Sequence, residues 1–430
     1  DAPGYLSADA TVMTPTAVVG HSVDDGGRQR ALHGSVHATR ALGERGSLRL
    51  TAYTQDLKRT RWVRFDADAG QQERQEREGQ AGAISTVTYR PRTLGPLTDV
   101  ALEWGVDVQL QDNRHQRFAT VARDRAGAPT RDHEFGVQSA GTYIHGMGSP
   151  HRLLKVVAGM RLDRLGGSFE NRVDRATYDM NAYGTILQPK LSMLVTPSAG
   201  HVIYGNYGRT FQVGVGIGAF ATQNEALEPS INDGWEAGYR AQLEGWLAGR
   251  IAYWQQHASG EVRLKFDDSG EAENIGETLR RGVDFSLTVQ PHERVAAWLA
   301  LGWHTSKQIE PGPAVPVRRG KEIDHIPEYT AKGGVDVQIA SKVKASIGVA
   351  AQGDYYLTKE NDGGQYGSHV LVSGDVLYDA RSWLQLGLHG RNLLDARYDS
   401  YVWYKDFGTT GTQHNPGDPL AVYASMTARL

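Results

Sequence analysis

The chain has 430 residues, 40 % of them apolar and 22 % charged, with a mean hydropathy of −0.46 and a formal net charge of −3. No run of about eighteen apolar residues occurs, which excludes a helical membrane span. Basic residues are scattered among acidic ones, which gives no reason to expect nucleic acid as a partner. The lack of cysteine removes disulfide frameworks and thiolate-bound metals. A transmembrane β-barrel stays open, because only alternate residues of its strands face lipid and its average hydropathy resembles that of a soluble protein. Residue 1 is Asp, with no basic and apolar leader after it, so any signal peptide has been removed or lies outside this sequence.

Alternation with period two runs along almost the whole chain, placing every second side chain on one face of a strand. Leu102, Trp104, Val106, Val108 and Leu110 alternate with Glu103, Gly105, Asp107, Gln109 and Gln111. Leu154 to Leu162, Val295 to Trp303 and Val343 to Ala351 repeat the pattern, with Trp298 on the wet face. The count is roughly seventeen strands of about ten to fifteen residues, a length suited to tilted strands that cross a membrane and project beyond it. Short connections are expected near residues 42–46, 91–95, 148–150, 197–200, 244–245, 290–291, 340–341 and 379–381. Long ones alternate with them near 60–77, 112–132, 165–182, 212–231, 258–277, 307–326, 357–367 and 398–417. Strict alternation of short and long connections is the mark of a barrel with periplasmic turns at one rim and extracellular loops at the other. The sequence thus predicts an all-β fold over residues 1–430, a transmembrane antiparallel β-barrel, in the outer membrane of a Gram-negative bacterium.

Trp246 and Trp383 abut short turns, while Trp235, Trp254 and Trp303 lie toward long-loop ends, as interfacial girdles require. The last strand, Val422, Ala424, Met426, Ala428 and Leu430, alternates up to the final residue and looks like the terminal recognition strand of outer-membrane barrels, with Leu430 where Phe or Trp is usual.

Several stretches resemble the TonB-dependent receptors. Arg391-Asn392-Leu393-Leu394-Asp395-Ala396-Arg397-Tyr398 looks like that family's penultimate-strand signature. Asn206 to Phe211, Leu227-Glu228-Pro229, Trp235 to Arg240, Arg281 to Asp284 and Ala158 to Asp163 follow the family in order and spacing. By parity, Glu236, Arg240, Arg161, Asp163 and Asp284 point into the lumen. The resemblance implies a barrel of about 22 strands around an N-terminal plug that carries the segment contacting the TonB energising complex. On that expectation a plug and about five strands are absent from this chain, and seventeen or eighteen strands are present.

The resemblance also implies uptake of a scarce nutrient, most simply a ferric siderophore, with haem, cobalamin, copper and saccharides as alternatives. Membrane lipid, lipopolysaccharide and a small-molecule metal chelate are the expected partners, and no bound cofactor of the protein itself is expected. Candidate ligand contacts at the extracellular mouth are Arg114, His115 and Arg117 in one long loop, Arg209 and Phe211 at a strand end, and Tyr401, Trp403 and Tyr404, with Lys405, in the last loop. Arg and Lys could meet an anionic chelate and aromatic rings could pack on it. Gly214, Gly216 and Gly218 read as a flexible loop, since no helix follows to make a phosphate site. Asp267, Asp268, Glu271 and Glu273 match no calcium-loop spacing and read as a solvated acidic loop. No nucleophile, base and orienter stand together, so no catalytic or metal site is expected. The rival is a passive channel of eighteen strands, with Leu6 to Val19 as one more strand.

Overall fold

The computed structural model describes residues 5–65, 68–221, 227–243, 245–264, 272–312, 316–405 and 411–429. Seventeen long strands build the wall: β1 (Gly26–Leu42), β2 (Gly46–Val63), β3 (Gln71–Tyr89), β4 (Leu97–Val121), β5 (Arg131–His151), β6 (Leu154–Asn171), β7 (Thr185–Ser198), β8 (His201–Gln212), β9 (Ser230–Leu243), β10 (Leu247–Ser259), β11 (Gly276–His292), β12 (Val295–Pro311), β13 (Tyr329–Ala340), β14 (Val343–Gln352), β15 (His369–Arg381), β16 (Leu384–Arg391) and β17 (Ala421–Ala428). Each pairs antiparallel with the next, in one unbroken order from β1 to β17. Among the described residues no ladder joins β17 back to β1, and nearly every residue of these two strands is exposed. Leu430 and Glu244 lie outside the described residues.

Alternation dictates the two faces. Val36, Trp104, Leu110, Ile203, Ile347 and Leu388 are each more than half exposed, because their face meets lipid and not a core. The opposite parity is polar and cross-linked. Arg161 on β6 makes paired hydrogen bonds to Asp107 on β4 (2.8 and 2.9 Å) and also grips Asp163, which accepts from Gln188 on β7. Arg250 on β10 donates to Tyr204 on β8 and Glu236 on β9 at 2.7 and 2.8 Å. These groups share the face assigned to the lumen by parity.

Three lumenal links cross the wall over a glycine. Tyr53 lies opposite Gly82 and reaches Gln109, Tyr143 lies opposite Gly105 and reaches Thr86, and Tyr204 lies opposite Gly238 and meets Arg250. At Gly82 and at Gly238 a Cβ would stand 2.5 Å from the phenol ring. Only glycine leaves room for a ring to lie flat on the neighbouring strand and touch the strand beyond it.

The chain departs from the sequence expectation in three ways. The long loops are shorter than expected, because β2 to β6 continue well past the apolar belt as strands with charges on both faces. Arg59 meets Glu76 at 3.0 Å and Arg114 meets Asp132 at 2.8 Å across them. Water on both sides erases the hydrophobic alternation that marks a strand. Second, Pro150 and Pro291 fall not in turns but at irregularities of the final pairings, between Gly148 and His151 and between Val289 and His292, where a missing N–H costs no ladder bond. Third, Leu6 to Val19 is no wall strand. Leu6–Ser7 pairs with Gln413 and His414 of the last loop, and Ser7 caps a short helix, Ala8–Met13. The eighteenth strand that a passive channel needs is therefore not formed here.

The glycine run is packed and not loose. Gly216 adopts φ +58° to open a 3-10 turn, Gly216–Ala219, and the following Phe220 sits between Phe135 and Phe169 at ring separations of 5.7 and 5.5 Å.

Val349 faces lipid, whereas Ser346 lies in the lumen between Asp336 and Asp375 of the adjacent strands. Val349→Arg is expected to cost about 2–4 kcal/mol and Ser346→Arg much less. Folding titrations into lipid vesicles read the difference, and equal penalties would refute the face assignment. Gly238→Val should push Tyr204 off the wall and cost about 1–3 kcal/mol. Thermal unfolding checks this, with Tyr204→Ala in the same chain expected to remove most of the penalty.

Candidate functional site

Three excursions at the long-loop rim line a cavity of about 600 Å³, and a fourth, after β10, braces it. Its frame is a buried ion pair between two loops. Arg263, on the short strand Val262–Leu264 after β10, donates to both oxygens of Asp324 at 2.7 and 2.5 Å. Asp324 is 6 % exposed, and the loop before β13 carries it there. Burial alone would raise its pKa, but hydrogen bonds from His325 and Arg263 and the guanidinium charge hold it well below the usual carboxylate range.

His325 adopts φ +62°, a conformation that turns its ring inward. One ring nitrogen faces Asp324 at 2.9 Å and the other the carbonyl of Val402 at 3.1 Å. Both partners are acceptors, so both contacts are hydrogen bonds only when the ring holds two protons. The ring stacks on Tyr401 at 5.2 Å and 17°, with Tyr355 at 5.4 Å on another side. Burial pushes the phenols of Tyr355 and Tyr401 up, which keeps both protonated at ordinary pH. Tyr355, Leu357 and Val402 form the small apolar centre under the cavity.

The rim of the cavity is polar. Arg318 donates to Glu360 at 2.9 Å and Lys359 to Glu273 at 3.1 Å, so each cation is oriented by an acid from a different loop. Thr358 accepts from the amides of Asp362 and Gly363, which closes the tight turn between them. Tyr401, Trp403 and Tyr404 complete the wall from the hairpin Asp399–Lys405 and Gly411–Pro416. The arrangement can hold a planar or aromatic solute against phenol and indole faces and meet its charges with the guanidinium and ammonium groups at the rim.

The eight candidates from sequence separate into distinct places. Tyr401, Trp403 and Tyr404 come together here; the side chain of Lys405 lies outside the described residues. Arg114, His115 and Arg117 are not in a loop but on β4, at its far end. His115 and Arg117 face inward, His115 edge-on to Phe135 at 5.0 Å and Arg117 opposite Arg74 and Arg131. Arg114 faces outward and is tied to Asp132. Arg209 and Phe211 also sit on the outward parity of β8, with Arg209 gripping Asp233 at 2.9 Å through two bonds. Arg263, Arg318, Asp324, His325 and Lys359 were not singled out from sequence, since their partners lie on other loops and no local spacing marks them. Of the acidic run, Glu273 pairs with Lys359, and Asp267, Asp268 and Glu271 lie outside the described residues.

Asp324→Asn removes the carboxylate that holds Arg263 and His325, and its local cost should be about 3–5 kcal/mol. Hydrogen exchange across residues 316–328 should accelerate while the wall strands keep their protection. Because the folded pKa is depressed, the pair contributes stability above the unfolded value of about 3.9 and loses it only as pH falls through the lower folded value. In a His325→Gln chain, which leaves Arg263 as the partner of Asp324, protection of this loop should therefore be flat from pH 7 to about pH 4.5.

A family profile described as TonB dependent receptor-like, beta-barrel, matches residues 5–393. Comparison with curated protein sequences gives no match. Among solved structures, the ferric citrate transporter FecA in unliganded form superposes with TM-score 0.86 at 16 % identity, covering 100 % of this chain and 65 % of that one. The ferric-catecholate import receptor Fiu from E. coli K12 gives 0.76 at 12 %, covering 99 % and 68 %. The copper transporter OprC gives 0.73 at 12 %, covering 94 % and 66 %. At such identities the likeness shows the fold, and this chain spans about two thirds of the length of each. The profile match over most of the sequence, with the antiparallel wall and lipid-facing belt, establishes that the chain belongs to the TonB-dependent receptor-like β-barrel family, whose members are outer-membrane proteins of Gram-negative bacteria.

Proposed function

We propose that this chain is the barrel of a receptor that takes up a ferric siderophore across the outer membrane, with energy delivered by the TonB complex through a segment outside this sequence. One observation carries the reading: the cavity walled by Tyr401, Trp403 and Tyr404 and rimmed by Arg318 and Lys359 stands where three rim loops meet, braced by a fourth. Aromatic faces suit a catecholate or other ring-bearing chelate, and the Lys359 ammonium, whose side chain is 27 % exposed, is the rim cation open to an anionic ligand. The neighbours named for ferric citrate and ferric catecholate support iron as cargo, and the copper transporter keeps a second metal in view. Arg209, Phe211 and Arg114 face away from the lumen and are set aside as ligand contacts; His115 and Arg117 remain candidates on the inner wall.

The test uses the receptor gene in full, in a strain stripped of its own iron receptors. Iron-limited growth should be rescued by a ferric siderophore and not by haem, cobalamin or copper. Tyr401→Ala with Trp403→Ala should raise the half-saturating concentration roughly tenfold at unchanged surface abundance. Rescue by another nutrient with no iron uptake would reassign the cargo, and unaltered uptake in the double variant would move the site.

A further inference from the structure

Among the described residues, four histidines have both ring nitrogens engaged. His37 lies between the hydroxyls of Thr51 and Ser35, His389 between Asp375 and the Ser425 hydroxyl, and His414 between Asp399 and the Thr412 hydroxyl. A hydroxyl donates as readily as it accepts, so each of these three rings keeps both contacts after losing a proton. His325 differs. Its ring bridges the Asp324 carboxylate and the Val402 carbonyl, neither of which can donate.

The two acceptors belong to different excursions, so the ring ties one to the other. Asp324 precedes β13, and Val402 lies in the last excursion between the wall residues Tyr401 and Trp403. Val402 is 1 % exposed, which leaves its carbonyl no water to replace the ring, and its N–H donates to the Tyr355 hydroxyl at 3.3 Å. When the ring loses a proton, the carboxylate is the stronger acceptor and keeps the remaining N–H. A bare nitrogen lone pair then faces the Val402 carbonyl, and a buried acceptor is left unsatisfied. Of the groups facing the ring, Asp324 favours its charge, Arg263 from the excursion after β10 opposes it, and Tyr355 and Tyr401 are neutral but present ring faces to the cation. The other charges around the cavity are taken: Arg318 by Glu360, Lys359 by Glu273, Asp362 by Thr358 and Asp399 by His414.

We infer that His325, as the imidazolium, is a positioning residue of the cavity: it holds the last excursion against the loop before β13 and so sets the wall of Tyr401, Trp403 and Tyr404. Imidazole changes charge between about pH 5 and 8. At the acid end both contacts are made and the wall is fixed. As pH rises the contact with Val402 turns repulsive, and the hairpin keeps the Tyr355 hydroxyl and the pairing with Leu6–Ser7. The latch itself needs no ligand, whereas its consequence, tighter capture of a chelate at low pH than at high, rests on the receptor reading above.

The experiment follows amide hydrogen exchange across residues 399–405 and 411–416 in the full receptor without ligand, from about pH 5.5 to about pH 8, with rates corrected for intrinsic exchange. Protection in the natural sequence should fall roughly tenfold over that range while the wall strands stay level. His325→Gln cannot donate to both acceptors and should give low, flat protection. Tyr355→Phe keeps the ring, and His414→Gln removes the histidine of the hairpin itself; both should retain the step. A flat natural profile, an undiminished step in His325→Gln, or loss of the step in His414→Gln would each overturn the inference. Should His325→Gln not fold, the nitrogen-15 resonances of the ring in the natural sequence decide, since its proton loss must coincide with the exchange step. Affinity for a ferric tris-catecholate, taken relative to His325→Gln to cancel the pH response of the chelate, should fall about tenfold over the same range. Binding with a flat ratio would refute the positioning role, whereas an exchange step without any chelate binding supports the latch and refutes the cargo.

Discussion

A backbone crossing lipid has nowhere to place its N–H and C=O groups except against another strand. Each group left unpaired in hydrocarbon costs several kcal/mol, so the constraint fixes almost everything else about this chain. It forces continuous ladders from β1 to β17. It forces period two, since a paired strand presents alternate side chains to opposite solvents. It also moves the usual location of a core: the large apolar residues are on the outside, and the interior wall is held together by ion pairs and phenol hydroxyls. The glycines opposite Tyr53, Tyr143 and Tyr204 belong to the same logic. A wall without an apolar interior is stiffened by rings and guanidiniums laid across it.

Where alternation was physically enforced, it was also readable. The lipid-facing sets around Trp104, Leu299 and Val349, and the lumenal placement of Arg161, Asp163 and Glu236, follow from parity alone and agree with the ladders. Legibility stops where the membrane stops. The stretch Gln111 to Arg117 is as much strand as Leu102 to Leu110, yet water bathes both of its faces and its charges look like those of a loop. The prolines misled for a related reason: a residue that disfavours a ladder marks either a turn or a bulge beside one, and only the pairing tells which.

The loop site was legible in part. Tyr401, Trp403 and Tyr404 crowd into one short segment, and aromatic density in a polar excursion is visible in one dimension. Their frame was not visible. Arg263 and Asp324 lie 61 residues apart, and what joins them is the order of strands around the rim, which brings one excursion beside the next. Arg209 shows the converse. It sits in a motif of the family and reads as a ligand contact, but its side chain is spent on Asp233, which also accepts from Tyr207, on the outward face, where the cluster ties β8 to β9.

The ladder between Leu6–Ser7 and the hairpin of the last excursion joins two segments at opposite ends of the chain, reinforced by Tyr5 against Trp403 at 6.0 Å. The last excursion, between Arg391 and Ala421, is long enough that closing it onto a cavity forfeits substantial chain entropy. Anchoring its hairpin to a second segment spends that entropy in advance, before any solute arrives. The same anchor makes the two segments one mechanical unit: the aromatic wall cannot swing over the cavity without carrying the start of the chain along or shedding a ladder of two residues.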